Sequence, residues 1–169
     1  FYRKMKKLIV LLLMMLPFGV FAQEGKIAIV NSQEILTIMP EFTSMQKALQ
    51  DLDAKYKQEM KVINDEYERK YADFIAQQDS LTENIKMRRM QELSDLQERS
   101  NNFVQVAQQE FGKKQQELFA PIQEKLRDAI KAVGDEKGYT YILDPQAVLY
   151  TGNAAVDATP FVKAKLGLN

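Results

Sequence analysis

Residues 41–120 contain no proline and one glycine, Gly112, and Pro40 and Pro121 stand at the two ends. Along the first half, apolar and aromatic residues fall at Phe42, Met45, Leu49, Leu52, Tyr56, Met60, Ile63, Tyr67, Tyr71 and Phe74. The steps are three and four throughout, the spacing of one face of an α-helix. From Leu49 onward the pattern repeats every eleven residues, with Leu49, Met60 and Tyr71 in one set and Leu52, Ile63 and Phe74 in another. That period, about 3.67 residues per turn, slightly exceeds that of a relaxed helix, so the stretch should run straight or coil faintly to the right. A helix apolar along one stripe needs a partner.

The partner is predicted to be the second half of the same stretch. The rhythm lapses over residues 76–84, where Ser80 and Glu83 have the spacing of a capping box that opens a new helix. Leu81, Ile85, Leu93, Leu96, Phe103, Ala107 and Leu118 then resume helical spacing. The pattern predicts an antiparallel helical hairpin over 41–120 with its tip at about 76–84. At about 1.5 Å per residue, arms of roughly 40 residues reach on the order of 60 Å.

The flanks, 23–40 and 121–169, are predicted to form a small body at the root of the hairpin. Lys26–Asn31 reads as a short strand apolar on both faces, and Asn31 or Ser32 caps a short helix that Pro40 ends and restarts. Pro121 interrupts a helical pattern that continues through Ile122, Leu126, Ala129, Ile130 and Val133, so a kink is expected near Phe119. Gly138 reads as a left-handed cap, residues 139–144 as a strand, Asp144-Pro145-Gln146 as a turn, and 147–151 as the returning strand of a β-hairpin. Thr159-Pro160 opens a last helix that Gly167 ends. The fold class is thus α+β, mostly α, with a long hairpin on a three-stranded β body. So small a core, with open strand edges, is expected to be completed by self-association. Ile27, Ile29, Val30, Tyr141, Leu143, Val148 and Tyr150 are the candidate residues of that oligomeric body.

Composition narrows the chemistry. The chain has no cysteine and no histidine, which removes the usual zinc ligands and the usual nucleophile–base pairs. It carries no G-x-x-x-x-G-K or G-x-G-x-x-G string. Asp and Glu lie among Lys and Arg on long polar helix faces, as solvated surface does. Neither an enzyme, a cofactor nor a bound metal is expected. Arg3, Lys4, Lys6 and Lys7 precede the apolar run Leu8–Leu16, and Val20-Phe21-Ala22 supplies small residues for cleavage, so residues 1–22 read as a signal peptide cut near Ala22. Without those four basic residues the remaining 19 Lys and Arg face 23 Asp and Glu, a net charge near −4 that offers nucleic acid no footprint.

Lys26-Ile27-Ala28-Ile29-Val30-Asn31 directly after such a leader resembles the opening of the Skp/OmpH family of periplasmic chaperones. So do the closing segments: helix Ile122–Val133, then Tyr139-Thr140-Tyr141-Ile142-Leu143-Asp144, Ala147-Val148-Leu149-Tyr150 and Asp157-Ala158-Thr159. The resemblance implies a homotrimer shaped like a jellyfish, with three hairpins around a cavity. It also implies an ATP-independent periplasmic holdase for unfolded outer-membrane β-barrel proteins. One departure concerns charge. The family's strongly basic members use positive arms, whereas residues 41–120 here hold 12 basic and 15 acidic residues. Only Lys86, Arg88 and Arg89 beside the tip and the doublet Lys113-Lys114 offer a weak contact for anionic membrane headgroups. Client contact is expected from apolar residues off the seam near the tip: Ile75, Leu81, Met87 and Met90, methionine being flexible and polarizable. The competing reading is a structural coiled-coil adaptor of the cell envelope that holds one folded partner.

Overall fold

The computed structural model describes residues 26–168. The leader 1–22 therefore lies outside the described residues. Strand β1, Ile27–Ile29, leads into helix α1, Ser32–Ile38. Helix α2 spans Pro40–Gln77, a single 3₁₀ turn occupies Gln78–Ser80, and helix α3 spans Glu83–Lys137. Strand β2 is Tyr141–Leu143, strand β3 is Val156–Asp157, and helix α4 is Thr159–Lys165.

Cap chemistry explains most of these boundaries. Asn31 is the N-cap of α1, its side chain accepting from the Glu34 amide at 3.0 Å. Pro40 sits at the first position of α2, where a missing amide proton costs nothing. Gly138, at φ 67° and ψ 37°, ends α3 in the left-handed region. Gly167 takes φ 73° after α4. Helix α3 runs unbroken through Pro121, although the proline lacks the amide that would bond the Glu117 carbonyl one turn earlier.

Helices α2 and α3 form the antiparallel hairpin that the spacing predicts. Cross-arm contacts run in reverse order along the two helices: the Glu41 carboxylate holds the Lys125 ammonium, Tyr56 Oη donates to Glu110 at 2.8 Å, the Ser100 hydroxyl lies 3.7 Å from Met60 sulfur, and Lys70 reaches Glu92 at 3.4 Å. Aromatic edges mark the same seam, Phe42 against Phe119 with centroids 6.4 Å apart and Tyr56 against Phe103 at 6.0 Å. At about 1.5 Å per residue the 38 residues of α2 extend about 57 Å.

The tip is built differently from the expected capping box. The N-cap of α3 is Thr82, with no side-chain bond, and the Ser80 hydroxyl donates backward to the Gln77 carbonyl at 2.8 Å. An orphan carbonyl at the end of α2 competes for that hydroxyl, and the 3₁₀ turn brings it within reach first.

The sheet has the order β2-β1-β3 with both pairings parallel. The third strand is thus Val156–Asp157, not the returning strand expected over 147–151. Asp144 explains the difference. Its carboxylate caps the 3₁₀ turn Pro145–Ala147 by accepting from the Gln146 amide at 2.9 Å and also accepts from the Ser32 amide at 3.2 Å. The chain is thereby turned out of the sheet, leaving Leu149 and Tyr150 exposed, and Val156–Asp157 then pairs on the far side of β1. The β2–β1 crossover is the whole arm. The inner face of the sheet, with Ala28, Val30 and Ile142, packs on Ile35, Met39, Leu126, Ala129, Val133, Ala158 and Val162. Helix α4 is tied down by the Thr159 hydroxyl, which accepts from the Asn31 amide at 3.0 Å, and by ion pairs Lys163–Glu34 and Lys165–Glu136.

Candidate functional site: an exposed arm and an uncovered sheet face

Two surfaces of the subunit are apolar and open. The first is the outer face of the sheet. Because successive side chains on a strand alternate, Ala28 and Val30 point into the core while Ile27, 46% exposed, and Ile29 point out. Tyr141 and Leu143 of β2 and Val156 of β3 are exposed as well. Ile27, Ile29, Leu143 and Val156 border, with Val148, Tyr150 and Ala155, a cleft of about 630 Å³. The structure therefore places six of the seven candidate body residues on this face or its rim. Val30 is the exception: at 1% exposure it belongs to the subunit's own core. A strand apolar on both faces is half covered in one chain.

The second surface is the arm. Its seam is thin. Beyond the base, only Ile63, Leu93, Leu96 and Ser100 are buried among the described arm residues. Tyr71, expected in the seam, is 48% exposed and stacks on Tyr67 with centroids 6.1 Å apart and planes 4° from parallel. Ile85 is also exposed, because α3 presents Lys86 and Arg89 toward the seam instead, both half-buried. Of the four candidate client residues, Met87 (64% exposed), Met90 and Ile75 stand open to solvent, and Leu81 is half-buried in the tip.

The basic patch at the tip is largely neutralised. Lys86 pairs with Glu83 at 3.0 Å and Arg88 approaches Glu92 at 3.8 Å. Lys114 pairs with Glu117 at 3.5 Å, and its neighbour Lys113 is exposed. Sequence reasoning missed the apolar cleft of about 470 Å³ halfway along the arm, bordered by Tyr56, Met60, Phe103, Val104, Ala107 and Phe111. Gly112 beside it was legible; that a missing side chain there leaves the cleft open depends on the register of the two helices.

At the base of the arm a second cleft of about 650 Å³ sets Pro40 against Pro121, Met45 and Ile122. The Glu41–Lys125 pair lines it as well. Lys125, donating to the carboxylate, holds the Glu41 group below its ordinary range, while the other carboxylate oxygen, Oε2, is buried with no hydrogen-bond partner among the described residues. In the mid-arm, the hydrogen bond to Glu110 raises the Tyr56 phenol above its ordinary value. Among the described residues no group of His, Cys, Asp or Glu is arranged to hold a metal ion, and no helix is long and apolar enough to cross a membrane.

The subunit is thus a long two-helix arm on a small α/β base, with apolar side chains left open on both parts. The family model described as outer membrane protein, OmpH-like, matches residues 26–166, and the chain belongs to that family. Among curated relatives, chaperone protein Skp of Pectobacterium atrosepticum is 24% identical over 129 residues, covering 76% of this chain and 78% of the relative. Among solved structures, an OmpH-like protein from Caulobacter crescentus superposes with a TM-score of 0.74 at 16% identity, over 84% of this chain and 83% of that one. The second match confirms the fold.

Proposed function

We propose that the protein is an ATP-independent holdase of the periplasm that shields unfolded outer-membrane β-barrel proteins in a cavity between its helical arms. Three subunits assemble through the outer faces of their sheets. The observation that carries the reading is the pairing of an uncovered apolar sheet face with an arm whose tip leaves Ile75, Met87 and Met90 in solvent. A contiguous exposed apolar surface marks an interaction site. The sheet face is rigid, held by strand pairing and suited to one fixed partner. The arm presents scattered flexible side chains, suited to partners of many sequences. Unfolded barrel strands expose alternating apolar residues and unpaired backbone, and several weak contacts made at once hold them reversibly.

The test is dilution of urea-unfolded outer-membrane barrels into buffer with the cleaved protein and no nucleotide, followed by light scattering. Suppressed scattering of several unrelated barrels is expected. Full aggregation of all of them, with binding only to one native envelope protein, would establish the adaptor reading instead. Charge placed on the sheet face by Ile29→Asp with Leu143→Asp should leave a folded monomer in sedimentation and abolish protection.

A further inference from the structure

The sequence holds no cysteine, so methionine carries all of its sulfur. Among the described residues the five methionines differ sharply in access. Met39 and Met45 belong to the core of the base and are 1% and 7% exposed. Met60 is half-buried at the mid-arm cleft, and the Ser100 hydroxyl donates to its sulfur at 3.7 Å. Met87 and Met90, by contrast, are 64% and 59% exposed. Being three residues apart on α3, they stand on one face of the helix, one above the other. Stepping five residues toward the tip from the Lys70–Glu92 contact reaches Ile75 on α2 and Met87 on α3, so the exposed Ile75 lies level with the pair.

Access decides which thioether an oxidant reaches. With a peroxide, the sulfur lone pair attacks one peroxide oxygen, an S–O bond forms and the O–O bond breaks. The proton on the transferred oxygen passes to the leaving hydroxide, which departs as water. Sulfur loses two electrons and the peroxide gains them. The thioether is apolar and flexible, whereas the sulfoxide is polar. Conversion at both positions therefore removes the apolar surface that α3 supplies to the tip and leaves Ile75 alone there. The buried arm residues Ile63, Leu93 and Leu96 are untouched, so no polar group is added to the seam. In the base the same reaction at Met39 or Met45 would need the core to open first.

We propose that Met87 and Met90 form a reversible oxidation site, through which oxidants of the peroxide class weaken the hold of the tip on unfolded clients while the fold stays intact. The proposal rests on the chaperone reading above, which also puts the chain in an oxidising compartment. Reversal takes a methionine sulfoxide reductase, which supplies two electrons and two protons and returns the thioether and water.

The test treats the full oligomer briefly with hydrogen peroxide, removes the peroxide with catalase and locates the added oxygen by peptide mass. Sulfoxide is expected at Met87 and Met90 well before Met60, with Met39 and Met45 unmodified and circular dichroism native. The treated protein should then need a roughly three- to tenfold higher concentration for half-suppression of barrel scattering. Methionine sulfoxide reductases for both sulfoxide epimers, with dithiothreitol, should restore the original value. Met87→Leu with Met90→Leu keeps the apolar volume without an oxidisable sulfur, so this variant should protect barrels equally before and after peroxide. Oxidation first at Met60 or Met45, undiminished protection by the oxidised protein, or an equal loss in the leucine variant would each overturn the site while leaving the chaperone reading intact. Failure of the untreated protein to suppress aggregation would overturn the chaperone reading itself, and the release proposed on it.

Discussion

Truncating Ile63 to alanine should open the arm without loosening the base. Ile63 is 2% exposed and is the most deeply buried side chain of the arm beyond its root. The change removes three carbons, about 2.4 kcal/mol at about 0.8 kcal/mol for each. The cavity term stays small because two helices with solvent on either side can close on the gap, so about 2–3 kcal/mol is expected in all. The contiguous core runs from the sheet through Met39, Met45 and Ile122, with Phe42, Leu49, Leu118 and Phe119 packed against it, and Ile63, Leu93 and Leu96 lie outside it. The loss should therefore appear as sub-global opening of the distal hairpin. Since about 1.4 kcal/mol is a factor of ten, arm amides around residues 56–75 and 90–103 should exchange hydrogen roughly 30- to 150-fold faster. The Val30 amide, bonded to the Leu143 carbonyl at 2.9 Å, and the Ala158 amide, bonded to Ile29 at 2.8 Å, should exchange at the wild-type rate. Equal acceleration in arm and base, or less than about threefold in the arm, would refute the separation of the two units.

Other predictions concern single backbone and charged positions. Gly138→Ala forces a side chain into the left-handed region at φ 67° and should cost about 1–2 kcal/mol, read as a lowered melting temperature. Gly112→Ala should instead stabilise the arm by up to about 1 kcal/mol, since no heavy atom lies within 4 Å of the added methyl and the helix gains propensity. Asp144 is held below its ordinary value of 3.8, chiefly by the Gln146 amide and also by Ser32. A depressed carboxylate stabilises the fold above its unfolded-state value and loses that contribution as pH falls through the native one. Asp144→Asn should thus be less stable than wild type at pH 7, with the gap in urea midpoint narrowing below about pH 4. The Glu41–Lys125 pair, with Glu41 likewise depressed, should behave in the same direction from its ordinary value of 4.5 downward.

The hairpin was legible because its signal is repeated many times: an eleven-residue period survives errors at single positions, as Tyr71 and Ile85 show. The helix ends were legible where one residue type has one use, as with Pro40 and Gly138. The sheet was less so. Ala147-Val148-Leu149-Tyr150 has strand propensity, but β1 has only two edges. β2 takes one, and whether 147–151 returns as a strand or the distant Val156–Asp157 takes the other edge depends on how Asp144 is shared between Gln146 and Ser32, the latter a contact across more than a hundred residues. Ser80 illustrates the same limit over a shorter range, since its spacing to Glu83 fits a capping box while the Gln77 carbonyl claims the hydroxyl. Seam membership near the tip depended on the phase of α3, which restarts at Glu83 after the 3₁₀ turn. That phase turned Lys86 and Arg89 inward and Met87 and Met90 outward, so the methionines stand in solvent while the basic patch loses part of its exposure.

The proposed enclosure of a client by arms projecting from a shared base is tested most directly by native mass measurement of the protein without residues 1–22, alone and after addition of an unfolded outer-membrane barrel. The account predicts three chains alone, and the same three chains with one barrel after addition. A single chain that stays single when the barrel is added, or one that never acquires a barrel, would contradict it.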